Sequence, residues 1–215
     1  MEAFDTLTGI AAALPMADID TDRILPAAFL TTVTRTGLGR HLFHPLRYDA
    51  TGGEQADFVL NREPWRRACI LVTRENFGSG SSREHAPWAL LDFGVRCVIA
   101  PGFADIFRNN CVRNGILTAE VAPRTCERLL ALASNAATAT MTVDLGARRI
   151  TDATGAAHLF TIDDSAARRL LAAEDEIAVT QGHEPTITAY ERRAREARPW
   201  LFTDAVRQAI GARRR

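Results

Sequence analysis

Hydrophobic and polar positions fall into clear runs in the middle of the chain and are far less regular on either side of it. ACILVT at 68–73 predicts a buried strand, 84–93 a helix stopped by Gly94, and 96–100 a second strand. A helix over about 103–113, ended by Gly115, and a third strand at 116–121 complete a β-loop-α-β-α-β order. Such units favour parallel strands joined by right-handed crossovers, with ligands beyond the carboxyl ends of the strands. Downstream, 141–145, 149–151 and 158–162 predict strands separated by turns at Gly146 and Gly155, and helices are expected at 164–173 and 186–198. Upstream, 31–66 is rich in Thr, Gly, Pro and Asn and shows little periodicity beyond a short helix near 33–40. A segment of that length without clear elements is more often functional or partner-facing than idle. The fold class expected is α/β with a partly parallel sheet and C-terminal helices, as a single domain over 1–200 and a helical or disordered tail over 201–215.

Composition narrows the chemistry. The 215 residues are 47% hydrophobic, enough for one substantial core, and the formal net charge is zero. No global field therefore recruits nucleic acid or an anionic membrane, and binding must come from a local site. The 26 basic residues are all arginine. Without lysine there is no Schiff base, no pyridoxal-phosphate anchor and no P-loop amine. No basic start leads into an apolar core at the N-terminus, and no apolar run is long enough to span a membrane, so the expected compartment is the cytoplasm. Cysteines stand at 69, 97, 111 and 126 without a CxxC or a short Cys/His spacing, as expected of buried thiols and not of a metal site.

The densest chemistry lies in NFGSGSSREH at 76–85. Gly78 and Gly80 flank Ser79 and can both adopt positive φ, so successive N–H groups can form a nest for an anion, reinforced by the helix start just beyond. The competing reading is a capping box at Ser81-x-x-Glu84. Pro87 opposes it: with Ser81 as N-cap it would fall about two turns into the helix, whereas a start near Glu84 leaves it in the first turn. The hydroxyls of Ser81 and Ser82 then remain available to a ligand. Arg83 is a bidentate carboxylate holder, and a serine whose alkoxide is stabilised nearby could take a proton from carbon next to a carboxylate. The spacing fits neither a dinucleotide fingerprint, nor a nucleophile elbow, nor a P-loop.

ENFGSGSSREHAPWAL followed by GVRCVIAPGFADIF resembles the swivelling β/β/α domain of the aconitase superfamily, and within it the small subunits of 3-isopropylmalate dehydratase. DTDRILP at 20–26, TRTGLGRHLF at 34–43 and FVLN at 58–61 support it. The resemblance implies that Ser81 is the base removing and returning the carbon-bound proton, and that Ser82 and Arg83 hold a substrate carboxylate. It places Asp22 at the edge of the site and makes Arg35, Thr36 and Gly37 part of a substrate-recognition segment. It further implies a large-subunit partner carrying a 4Fe–4S cluster, with no metal on this chain, and a small dicarboxylate substrate. The reaction implied is interconversion of 2- and 3-isopropylmalate in leucine biosynthesis. Two departures stand out: the family usually has cysteine where this chain has Ser79, and 164–175 diverges from its usual pattern. Alternatives are a dehydratase of dimethylmalate, methylmalate or homoaconitate, and a non-catalytic anion-binding module. Asp18, Asp20 and Asp22 resemble the start of a calcium loop, but Arg23 and Phe29 occupy positions that need glycine and glutamate. His41 and His44 have no third ligand nearby, so a structural role is expected.

Overall fold

The structure, a computed structural model, describes residues 2–31, 34–80 and 82–202. Its strands are β1 (Thr6–Leu14), β2 (Ile70–Thr73), β3 (Cys97–Ala100), β4 (Leu117–Glu120), β5 (Thr140–Asp144), β6 (Arg149–Thr151) and β7 (Ala157–Leu159). They form one sheet in the order β4-β3-β2-β1-β5-β6-β7. The half from β1 to β4 is parallel and the half from β1 to β7 antiparallel. The helices are α1 (Thr21–Ile24), α2 (His44–Arg47), α3 (His85–Phe93), α4 (Asp105–Arg113), α5 (Pro123–Ala133), α6 (Asp164–Ala172), α7 (Glu176–Gly182) and α8 (Glu184–Ala197). Two compact units divide the chain, one up to Ala173 and one from Glu174 onward. Among the described residues, no helix is long and apolar enough to cross a membrane.

Alternation along the parallel strands explains why they read as continuous apolar runs. Ala12, Leu14, Leu71, Val98 and Ala100 join a core with α3, α4 and the 19–65 segment, while Ala11, Ala13, Ile70, Val72, Cys97, Ile99, Leu117 and Ala119 join a second core that includes α5 and α6. A strand covered on both faces has no polar side to show.

Several elements are present where none was anticipated, and two of them build the core. β1, the central strand, is rich in alanine, a poor strand former, and tertiary packing overrides that preference. Its Gly9 has a specific use, because a Cβ there would stand 2.3 Å from Cys69 Sγ. The other is α5, whose Cys126, Leu129, Leu130 and Ala133 give a helical stripe behind a first-turn proline. α7 also precedes the expected 186–198 helix, which begins at Glu184.

The strand expected over 158–162 is divided. The chain leaves β6 after Leu159, Phe160 is buried, and Thr161 pairs instead with Glu120 at the end of β4, the opposite edge of the sheet. The sheet therefore curls until its edges meet. The short helix expected near 33–40 is not formed over the described part of that span: residues 34–38 are irregular, and Gly37 at φ +84° cannot continue a right-handed helix. A 3-10 turn, Gly39–His41, follows. Val33 and the tail beyond residue 202 lie outside the described residues.

Candidate active site

The connections leaving the carboxyl ends of β1, β2 and β3 are stitched together in short parallel pairings. After β2, Phe77 bridges Phe103, with the Phe77 N–H donating to Gly102 O at 3.3 Å and Ala104 N–H donating to Phe77 O at 3.1 Å. On the other side Gly78 N–H donates to Ile19 O at 2.7 Å and Thr21 N–H to Ser79 O at 2.8 Å. Asn76, itself at φ +59°, donates from Nδ2 to Asp18 Oδ1 at 2.7 Å. The glycine loop is thus clamped between the segments that follow its two neighbouring strands, where open α/β sheets place their ligands.

Gly78 and Gly80 take φ of +82° and +97°, the positive values expected of these two glycines. With its N–H engaged by Ile19, Gly78 contributes conformation and space: a Cβ there would lie 2.1 Å from the Phe107 ring. Beyond the loop α3 begins at His85, so Pro87 falls in the first turn, and Glu84, the N-cap, makes no side-chain cap bond. The structure agrees with the helix start that Pro87 required. Ser81 lies outside the described residues.

The pairing of Ser79 with Asp20 sets α1 beside the loop, and Asp20 caps α1 by accepting from Arg23 N–H at 2.7 Å. Asp22, in its first turn, consequently faces Arg83: Nη1 to Oδ1 is 3.8 Å, with the two side chains 44% and 64% exposed. A pair so wet and long contributes little to stability. It places the exposed Arg83 guanidinium on the side of the loop that faces α1. Ser79 is half-buried, and Gly80, Ser82 and Arg83 are exposed.

The 34–41 segment reaches the same region along α3. Gly39 N–H donates to Asp92 Oδ2 at 2.7 Å, and its missing Cβ allows approach to the backbone of Asp92 and Phe93. Arg35 lies over Trp88, 5.1 Å from the ring centroid, so it stands near the start of α3. Thr36 and Gly37 are exposed next to it in the chain. His41 and His44 fall into an aromatic stack with Phe29 and Tyr48; burial first, then the positive charges of Arg40 and His44, lowers the His41 pKa.

Sequence reasoning missed three supports. Arg47, buried at 6% exposure, donates to Asn61 Oδ1 at 3.1 Å and to Gly39 O at 3.1 Å, anchoring the segment behind Arg35. Phe107 shapes the floor under Gly78. Asn110, also buried, donates to Ser82 O at 3.1 Å. The signal was a polar residue on the apolar face of α4, since Phe107, Asn110 and Cys111 share that face.

Among the described residues, no three His, Cys, Asp or Glu side chains converge to hold a metal. All four cysteines are free, and burial raises every thiol pKa, that of Cys126 to about 11. A cluster needs thiolates, and these side chains do not fit one.

Comparison with known proteins decides the lineage. An aconitase C-terminal domain model matches residues 1–124, a LeuD_N model 127–164, and a model of the C-terminal domain of 3-isopropylmalate dehydratase small subunits 176–204. The 3-isopropylmalate dehydratase small subunits of Rhodospirillum centenum and Dinoroseobacter shibae are 52% and 51% identical, each over 94% of this chain and 100% of the relative. The chain belongs to the 3-isopropylmalate dehydratase small-subunit family. A crystal structure of the 3-isopropylmalate dehydratase LeuD of Methanocaldococcus jannaschii has the same fold, with a TM-score of 0.64 over 86% of this chain and 99% of that one at 22% identity. Within this small-subunit family, the third model spans the residues that form α7 and α8, so the segment after residue 174 is shared in sequence.

Proposed function

We propose that the chain is the small subunit of a hydro-lyase that interconverts 2- and 3-isopropylmalate in leucine biosynthesis, acting only with a large subunit. The observation that carries this reading is the clamped loop, which sets Arg83 against Asp22 beside the glycine turn in a chain about half identical to named small subunits along its length.

In the reaction a proton leaves the methylene carbon of 2-isopropylmalate and hydroxide leaves the carbon bearing the isopropyl group. Water then returns with the two positions exchanged. This chain's share is the proton and the grip. Ser81 takes the proton from carbon and returns it, while Ser82 and Arg83 hold the adjacent carboxylate, where a guanidinium fork offers two parallel donors. Asp22 keeps the guanidinium aimed when the substrate is absent. Arg35, Thr36 and Gly37 read the rest of the diacid from the start of α3, and Gly78, Ser79 and Gly80 shape the turn against the negative charge. The 4Fe–4S cluster belongs to the large subunit, where it supplies a Lewis acid; none of the described residues of this chain fits it. The compartment proposed is the cytoplasm.

The test is reconstitution with the large subunit and assay on 2-isopropylmalate beside dimethylmalate, methylmalate and homoaconitate. Ser81→Ala is expected to cost about 10²–10⁴-fold in kcat, in the range of general-base catalysis, while the subunits still co-purify. Full activity in that variant overturns the base assignment, and preference for another acid overturns the substrate.

A further inference from the structure

A buried amide in mid-helix requires a partner of its own. Asn110 is 5% exposed on the face of α4 that also carries Phe107 and Cys111, and an aliphatic side chain would pack there as well. What calls for an amide is the Ser82 carbonyl, 3.1 Å from Nδ2. Residues 82–84 belong to no regular element, so this bond from a packed helix fixes the backbone between the glycine turn and α3. The string continues. Asn114 Nδ2 donates to Asn110 O at 2.8 Å, and Asn114 Oδ1 accepts from the Trp88 indole at 3.1 Å. Trp88 carries Arg35 on its face and packs against His85 with ring centroids 4.7 Å apart.

We propose that Asn110 is a positioning residue that aims Ser82 and Arg83 through the Ser82 carbonyl, and that Asn114 and Trp88 tie these residues to Arg35 so that both grips on the substrate share one mount. The proposal deepens the function given above and rests on it. Without the mount Ser82 and Arg83 can still hold the carboxylate, but not where the reaction needs it, so the loss acts on kcat more than on KM.

The experiment compares wild type, Asn110→Ala, Asn110→Asp, Trp88→Phe and Ser81→Ala in the complex reconstituted with the large subunit. Asn110→Ala is expected to lower kcat roughly 10–100-fold with less than about a threefold change in KM, and to co-purify normally. Asn110→Asp is isosteric and serves if truncation unfolds the protein. As a carboxylate it repels the Ser82 carbonyl, and once protonated it can donate to it, so its activity is expected to recover toward acid pH where wild type does not. Trp88→Phe keeps a ring under Arg35 but loses the donor to Asn114, and a smaller fall in kcat is expected. Wild-type kcat in both Asn110 variants, with Ser81→Ala inactive, overturns the proposal, as does an Asn110→Asp deficit that is the same at every pH. If Ser81→Ala is fully active, the base assignment fails instead, and amide exchange decides the matter for Asn110. Thr21 and Trp88 N–H donate to Ser79 O and Glu84 O on either side of Ser82. About tenfold faster exchange of both in Asn110→Ala at unchanged Tm supports the mount, and unchanged exchange overturns it.

Discussion

At Gly78 two constraints coincide that no other residue satisfies together. Its φ of +82° is left-handed, and a Cβ would fall 2.1 Å from the Phe107 ring. Gly78→Ala is therefore expected to cost roughly 2–5 kcal/mol, combining the strain of left-handed backbone with overpacking. Chemical denaturation of the small subunit measures it. Adding Phe107→Ala, which deletes the ring atoms that the new Cβ would meet, is expected to remove the steric share but not the conformational one, so the two changes together cost less than their sum. At this scale the sequence was legible where chemistry is local. Gly78, Gly80 and the placement of Pro87 followed from one stretch of ten residues, because φ preference and a missing N–H are properties of single residues. Arg47 and Asn110 were not legible, since their roles arise from what the fold packs around them.

The turn between β6 and β7 is organised around one carboxylate. Asp152 Oδ1 accepts from Thr154 N–H, Thr154 Oγ1 and Ala156 N–H, while Oδ2 meets His158 Nε2 at 2.8 Å and Arg128, on α5, at 3.2 Å. Burial alone would raise its pKa, but the hydrogen bonds from His158, Thr154 and Ala156 outweigh it and hold the carboxyl below its usual range. Asp152→Ala is expected to cost about 2–4 kcal/mol, because it removes a buried carboxylate on which the turn backbone, the half-buried His158 and Arg128 of α5 all converge. The pH dependence follows from the depressed value. The stabilisation is complete above the unfolded pKa of about 3.9 and drains away as the pH falls below it, which thermal melts between neutral and acid pH detect as a steeper loss in wild type than in the variant. Element-level reading of the sequence succeeded for β2, β3, β4, α3 and α4, whose apolar runs lie between glycine stops. It failed for β1, where alanines hide a central strand, and split 158–162 because the curl of the sheet hands Thr161 to Glu120.

For the whole molecule, every fully buried apolar side chain of the described residues lies between Phe4 and Leu170, and α8 buries none of its own residues. A chain ending at Ala173 is accordingly expected to unfold cooperatively with a Tm within a few degrees of the full-length chain, checked by calorimetry. A broad, non-cooperative transition would show that the later helices are needed to complete the core.

The two halves of β1 have different partners. Ala11–Leu14 pair with β2, some sixty residues away, whereas Thr6–Ile10 pair with β5, a hundred and thirty residues or more further on. During synthesis the first half of the sheet can therefore assemble from 121 residues of chain while the start of β1 still presents an open backbone edge. Pulse-labelled refolding should find the amides of residues 11–14 protected first and those of 6–10 last. The site loop, clamped to residues 19–21 directly behind β1, would thus be shaped before the antiparallel half of the protein exists.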